Sequence, residues 1–171
     1  MNFIDNTIAK VRDEAETQEI VAVWLEAFEK ALTGGDETVL ASLLDDECNW
    51  RDVLAFTWHL TAHVGAEEIA KNFLVRQPAV NALGFKISAN RTPPRRVKRL
   101  GCDCIEAIYG FETKVGHAEG ALRLVPASDG AGAAGHKAWV ISTSLEELVG
   151  SEEKIGANRP RYGGYVVHLS I

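Results

Sequence analysis

The stretch CNWRDVLAFTWHLTAH, residues 48–63, holds the densest group of side chains able to do chemistry. Arg51 and Asp52 lie among Trp50, Val53, Leu54, Phe56 and Trp58, and His59 and His63 follow. Charge is costly to bury unless it is paired or put to use. A carboxylate walled by apolar side chains loses water and becomes a better proton acceptor. Asp52 is therefore the candidate catalytic base, and His63 is a second candidate catalytic residue. The structural alternative stays open: Asp52 in a buried polar contact with no chemistry of its own. In an extended segment neighbouring side chains point to opposite faces. That places Asp52 inward between Trp50 and Trp58, and Arg51 outward into a surface or inter-strand ion pair. Trp50 and Trp58 would supply apolar walls, with N–H donors for which a carboxylate is a suitable acceptor.

Further pocket-lining candidates are Trp24, Phe28, His59, Tyr109 and Trp139. Tyr109 offers a hydroxyl donor, and one of Ser142, Thr143 and Ser144 could line a cavity. His59 and His63 are four apart, but their segment has no helix start and no third ligand nearby, so no metal is expected. Cys48, Cys102 and Cys104 form an odd, sparse set. Such usage suggests reduced thiols and a cytoplasmic location.

These residues need elements to hold them. Residues 16–33 repeat apolar groups at helical spacing, with Ile20, Trp24, Ala27, Phe28 and Ala31 on one stripe. Gly34-Gly35 ends that helix, and Asp36 caps a second, DETVLASLL. The 48–63 run reads as a strand that passes into a loop near Trp58. VGAEEIAKNFLVRQ reads as a third helix, with Ile69, Phe73 and Leu74 apolar. After Pro78 come GFKISAN, RRVKRL, CIEAIYGFETKV, HAEGALRLVPA and HKAWVISTSLEELVG, strand-like runs separated by Gly, Pro and Asp. Glu112 and Glu119 are expected to pair with Arg123 across a hairpin. Helices first and strands after predict an α+β domain with three N-terminal helices on a curved, mostly antiparallel sheet. The domain should span 1–155, with 156–171 as a C-terminal tail.

Composition bounds the function. The 171 residues suit one domain, 46% are hydrophobic and 25% charged, and the net charge is −6. That balance argues against nucleic acid as a partner, although RTPPRRVKR at 91–99 is a local basic run, read as a charged loop leading into an edge strand. No apolar run is long enough for a membrane span or a signal peptide. No glycine-rich phosphate loop appears, so no flavin or other nucleotide cofactor is expected.

The order helix, GGD, short helix, LLDDECNWRD, GAEEIAKNF and strands resembles the nuclear transport factor 2-like fold, which includes SnoaL-like cyclases and ketosteroid isomerases. Gly35-Asp36, Leu40, Leu43, Asp45, Asp52, Gly65, Ile69 and Phe73 carry its cadence. The resemblance implies a cone-shaped domain with a small-molecule pocket. It also implies Asp52 at the position of the isomerases' proton-abstracting aspartate, whereas Phe28 stands where an oxyanion-donating tyrosine often sits. NWRDVLAFTWHLTAHVGAEEI, FETKVGHAEGALRLVP, KAWVISTSLEELVGSEEKIG and RPR are similar, in order, to the N-terminal domain of some flavin-containing monooxygenases. That likeness implies an accessory domain binding a small apolar or aromatic molecule, here without the flavin-binding part. The alternative is a stand-alone SnoaL-like enzyme, an isomerase, cyclase or hydrolase using Asp52 as general base. A homodimer is expected through the open face of the sheet, on Trp139, Val140 and Ile141 with Tyr109 and Phe111 nearby.

Overall fold

The structure is a computed structural model. It describes residues 3–128 and 130–151, with side chains from Lys10 onward. The expected tail at 156–171 lies outside the described residues. The element order is α1 (Phe3–Gly34), α2 (Glu37–Ser42), β1 (Leu44–Val53), β2 (Leu60–Val64), α3 (Ala66–Val80), β3 (Leu83–Ile87), β4 (Arg95–Arg99), β5 (Cys102–Glu112), β6 (Gly116–Pro126) and β7 (His136–Leu148).

In α1 the buried positions are Thr17, Ile20, Val21, Trp24, Leu25, Phe28, Ala31 and Leu32, a stripe that recurs every three or four residues. Ala27 is only partly buried. The helix begins well before residue 16; the side chains described there, residues 10–16, are all exposed, so the apolar rhythm is silent. Gly35 takes φ +70°, the left-handed exit that a side chain would resist. The next residue, Asp36, caps α2 by accepting from the Val39 amide at 3.0 Å. Trp24 ties α1 to the following turn, its indole N–H donating to the Leu43 carbonyl at 3.2 Å. Glu29, on the polar side of α1, accepts the Gly84 and Phe85 amides at 3.0 and 2.8 Å and so fixes the start of β3.

The seven strands form one sheet in the order β2-β1-β7-β6-β5-β3, with β4 also paired to β5. All pairs are antiparallel except β1–β7, which is parallel. β2 was not foreseen: only alternate residues on it are half-buried, so its pattern is weak. Inner-face side chains pack against the helices: Trp50 on β1, Ile141 on β7, Leu122 on β6, and Ile105, Ala107, Tyr109 and Phe111 on β5. Ile141, Tyr109 and Phe111 are therefore core residues, at most 2% exposed, and cannot supply the dimer face expected of them. Trp139 and Val140 are half-buried; Trp139 falls at an irregularity in the β6–β7 register.

Candidate functional site

β1 alternates cleanly, with Cys48, Trp50 and Asp52 buried and Asn49, Arg51 and Val53 exposed. Asp52 thus faces inward and Arg51 outward, as strand alternation requires. Among the described residues no ion pair reaches Arg51. Asp52 is 1% exposed and its carboxylate is fully engaged. Oδ1 accepts the Thr143 hydroxyl at 2.6 Å and the Phe56 amide at 3.0 Å. Oδ2 accepts the Phe56 amide at 3.1 Å, the Thr57 amide at 2.8 Å and the Thr57 hydroxyl at 2.9 Å. The carboxylate therefore anchors the 54–59 loop to the sheet. That anchor holds Leu54 at φ +66°, unusual for a branched side chain.

The Trp50 indole reaches Asp52 through an intermediary. Its N–H donates to the Thr143 hydroxyl at 2.9 Å, and that hydroxyl donates onward to Asp52. Trp58, expected as the second wall around Asp52, is 65% exposed at the loop tip. His63 stacks on Trp50, centroids 5.3 Å apart, and its Nδ1 lies 3.5 Å from Glu68 Oε1 on α3. Among the described residues His63 Nε2 and Thr61 Oγ1 are buried without a partner. Thr61 pairs in register with Asp52, and His63 with Trp50. His59 is exposed, so the two histidines do not converge.

The interior is filled by rings. Trp50 stacks on Phe73 at 3.8 Å, Trp24 on Phe28 at 5.1 Å, and Phe85 on Phe111 at 4.6 Å. Phe28 and Phe56 meet Phe73 edge-on. Trp24, Phe28, Trp50 and Tyr109, expected to line a pocket, pack against one another and their neighbours, because edge-to-face and offset rings fill space efficiently. The Tyr109 hydroxyl is not free for a ligand: it donates to the Ser142 carbonyl at 2.9 Å. Burial, then the nearby Asp52 charge, pushes its phenol above its ordinary range, so it remains a donor.

One open space borders the anchored loop. A cleft of about 170 Å³ is bounded by Leu54, Phe56, Trp58, Val80, Lys114 and Val115. It sits between the anchored loop, the end of α3 and the β5–β6 turn.

Ion pairing on the sheet differs from expectation. Arg123 pairs with Glu106, Glu119 with Arg91, and Glu112 with His117. The β5–β6 register sets Glu106 opposite Arg123, whereas Glu119 lies opposite Gly110. Thr57, the anchor of the loop, went unread; an aspartate followed a few residues later by threonine is the local signal of such a side-chain-capped turn.

The thiols divide by burial. Cys48 is inaccessible and its thiol is pushed up to about 12, chiefly by burial and then by the Asp45 charge. Burial also raises Cys104, while Cys102 is exposed. A thiol-reactive dye should therefore label one cysteine in the native protein and three after denaturation. Rapid native labelling of more than one would contradict this burial.

No protein-family model and no curated protein matches the chain. Solved structures do have similar backbones. A nuclear transport factor 2-like protein with a cystatin-like fold from Novosphingobium aromaticivorans superposes with a TM-score of 0.54 at 14% identity, over 86% of this chain and 92% of that one. A nuclear transport factor 2-like superfamily protein from Salmonella enterica gives 0.50 at 12% identity, over 88% and 99%. A protein of unknown function from the DUF3225 family of Pectobacterium atrosepticum gives 0.50 at 22% identity, over 78% and 93%. None of these likenesses connects the chain with flavin-containing monooxygenases. At such identities the likeness concerns backbone alone, and it establishes that this chain has the nuclear transport factor 2-like fold, α+β with a mixed sheet.

Proposed function

We propose that this chain is a small-molecule-binding cone domain that holds its ligand at the mouth of the cone. The accessory role implied by the resemblance to the front part of flavin-containing monooxygenases fits this reading. The observation that carries it is the cleft beneath Trp58, whose loop is pinned by Asp52. An exposed tryptophan on a rigidly held loop offers an apolar platform at little ordering cost. The volume suits a one- or two-ring molecule, since a cavity of about 150 Å³ accommodates benzene. The same geometry weighs against Asp52 as a general base: its lone pairs face donors of the protein itself, and it is 1% exposed.

Calorimetric titration with benzyl alcohol or 2-naphthol tests the reading. Binding is expected in the native chain. Trp58→Ala should weaken it about tenfold or more, the worth of one large apolar contact. Equal affinity in the variant would defeat the proposal.

A homodimer through the outer face of the sheet belongs to the same proposal, seated on its β1–β2 half. There Val53, Leu60 and Val64 are 39%, 76% and 62% exposed, and β2 is an edge strand. Edge strands with apolar outer faces invite pairing unless they are protected. Light scattering should give twice the chain mass, and Leu60→Asp with Val64→Lys should return it to one. A native monomer at high micromolar concentration would count against this arrangement.

A further inference from the structure

The basic run at 91–99 is not consumed by the mouth of the cone. β4 lies against β5, so Arg95 and Arg99 fall on the outer face of the sheet beside Glu106, with Arg123 arriving from β6. Glu106 gathers all three guanidiniums. Its Oε1 accepts Arg123 Nε at 3.0 Å and Arg99 Nε at 3.2 Å. Its Oε2 accepts Arg99 Nη2 at 2.9 Å and Arg95 Nη2 at 3.2 Å. These bonds, Arg99 first, hold the carboxyl down at about 2, so it is ionised at any working pH.

One carboxylate cannot neutralise three guanidiniums. Among the described residues the cluster keeps a formal excess of two positive charges, since no second carboxylate pairs with these arginines; Glu119 is paired with Arg91 and Glu112 with His117. In a chain of net charge −6 this is a local reversal of sign. Beside it lies a cleft of about 260 Å³, with Ile108, Ala121 and Val140 as its apolar floor and Pro93, Arg95 and Arg123 in its walls. Arginines already oriented by a fixed carboxylate lose little freedom when they take a second oxyanion. Their planar forks match a carboxylate or phosphate head in two-point geometry. The apolar floor suits the body of such a molecule.

We propose that this cleft binds an amphipathic organic anion, a carboxylate or phosphate head on a small apolar body, with Arg95 and Arg123 holding the head. Glu106 acts here as a positioning residue and also as an internal competitor for the arginines. The site lies on the opposite face of the sheet from the ring-filled interior, so it stands independently of the ligand proposed for the mouth.

The test is calorimetry with phenylacetate, phenyl phosphate and the neutral isostere phenylacetamide, in native protein and in Trp58→Ala. In both proteins at least one anion is expected to bind about tenfold or more tightly than phenylacetamide, the scale of one charge-assisted contact. Preference for phenyl phosphate marks a phosphate site, and preference for phenylacetate a carboxylate site. Arg95→Met with Arg123→Met should abolish the preference, and Glu106→Gln should strengthen anion binding by removing the competitor. Added salt should weaken it. Equal binding of anions and amide, or a preference that survives loss of both arginines, overturns the proposal. If the arginine variant fails to fold, amide shifts on native protein decide. Shifts centred on Ile108, Ala121 and Val140 support the site, and shifts centred on Trp58 and Val115 overturn it.

Discussion

Asp52→Ala should destabilise the domain by about 4 kcal/mol, the range for removing the acceptor from a buried hydrogen-bonded group. The change strands the Phe56 and Thr57 amides and the Thr143 hydroxyl together, while the Thr57 hydroxyl keeps the His59 carbonyl as an acceptor at 2.7 Å. It also frees the Thr143 hydroxyl that receives the Trp50 indole, so the fault spreads into the core. Asp52→Asn should be nearly as harmful. Both carboxylate oxygens accept, so whichever position the amide nitrogen takes, it turns N–H towards an N–H or O–H donor. Thermal melting of a domain this size should fall by roughly 10 °C or more for Asp52→Ala. A loss below about 1 kcal/mol for Asp52→Asn in denaturant titration would mean the turn is not held by this carboxylate. The same pair of variants separates structure from catalysis, because a general base is lost without the fold.

Gly120→Ala should cost about 3 kcal/mol or more, through overpacking where the backbone has no room to yield. A Cβ there would lie 2.1 Å from the Ser142 carbonyl oxygen and 2.5 Å from Tyr109 Cζ. The missing side chain is what lets the Tyr109 hydroxyl cross β6 and reach that carbonyl on β7. Relief would require parting β6 from β7 or expelling a fully buried ring. Gly110→Ala is the matched control on the neighbouring strand. Its nearest contact is the His117 side chain at 3.2 Å, a group that can swing away. Urea titration of the two variants compares them directly, and similar midpoints would refute the close approach at Gly120.

Much of the frame was legible because helices write their burial into spacing: Ile20, Trp24, Phe28 and Ala31 announce α1, and Asp36 announces α2. Strand alternation likewise set Asp52 inward and Arg51 outward. The role of Asp52 was not legible, because its donors come from Phe56 and Thr57 around a turn and from Thr143, 91 residues away. Such a partner is chosen by the parallel β1–β7 register, which no local pattern encodes. Likewise, the aromatic content of 48–63 suggested a lined cavity, whereas the rings close on Phe73 and Phe28 from other elements. Type and spacing report that a residue is apolar, not whether it faces a void or another ring.

The strand order has a consequence in time. β1 lies between β2 and β7, and among the described residues β7 is the last strand of the sheet to be made, so β1 keeps an unpaired edge until residues 136–148 have left the ribosome. A pairing across so long a stretch of chain is entropically expensive to nucleate, and it closes late. During synthesis the strands β3 to β6 can assemble by themselves while the β7-facing edge of β1 waits unpaired, the period in which a nascent chain is most exposed to aggregation. The parallel β1–β7 pairing is thus the longest-range closure in the sheet, joining residues 44–53 to residues 136–148.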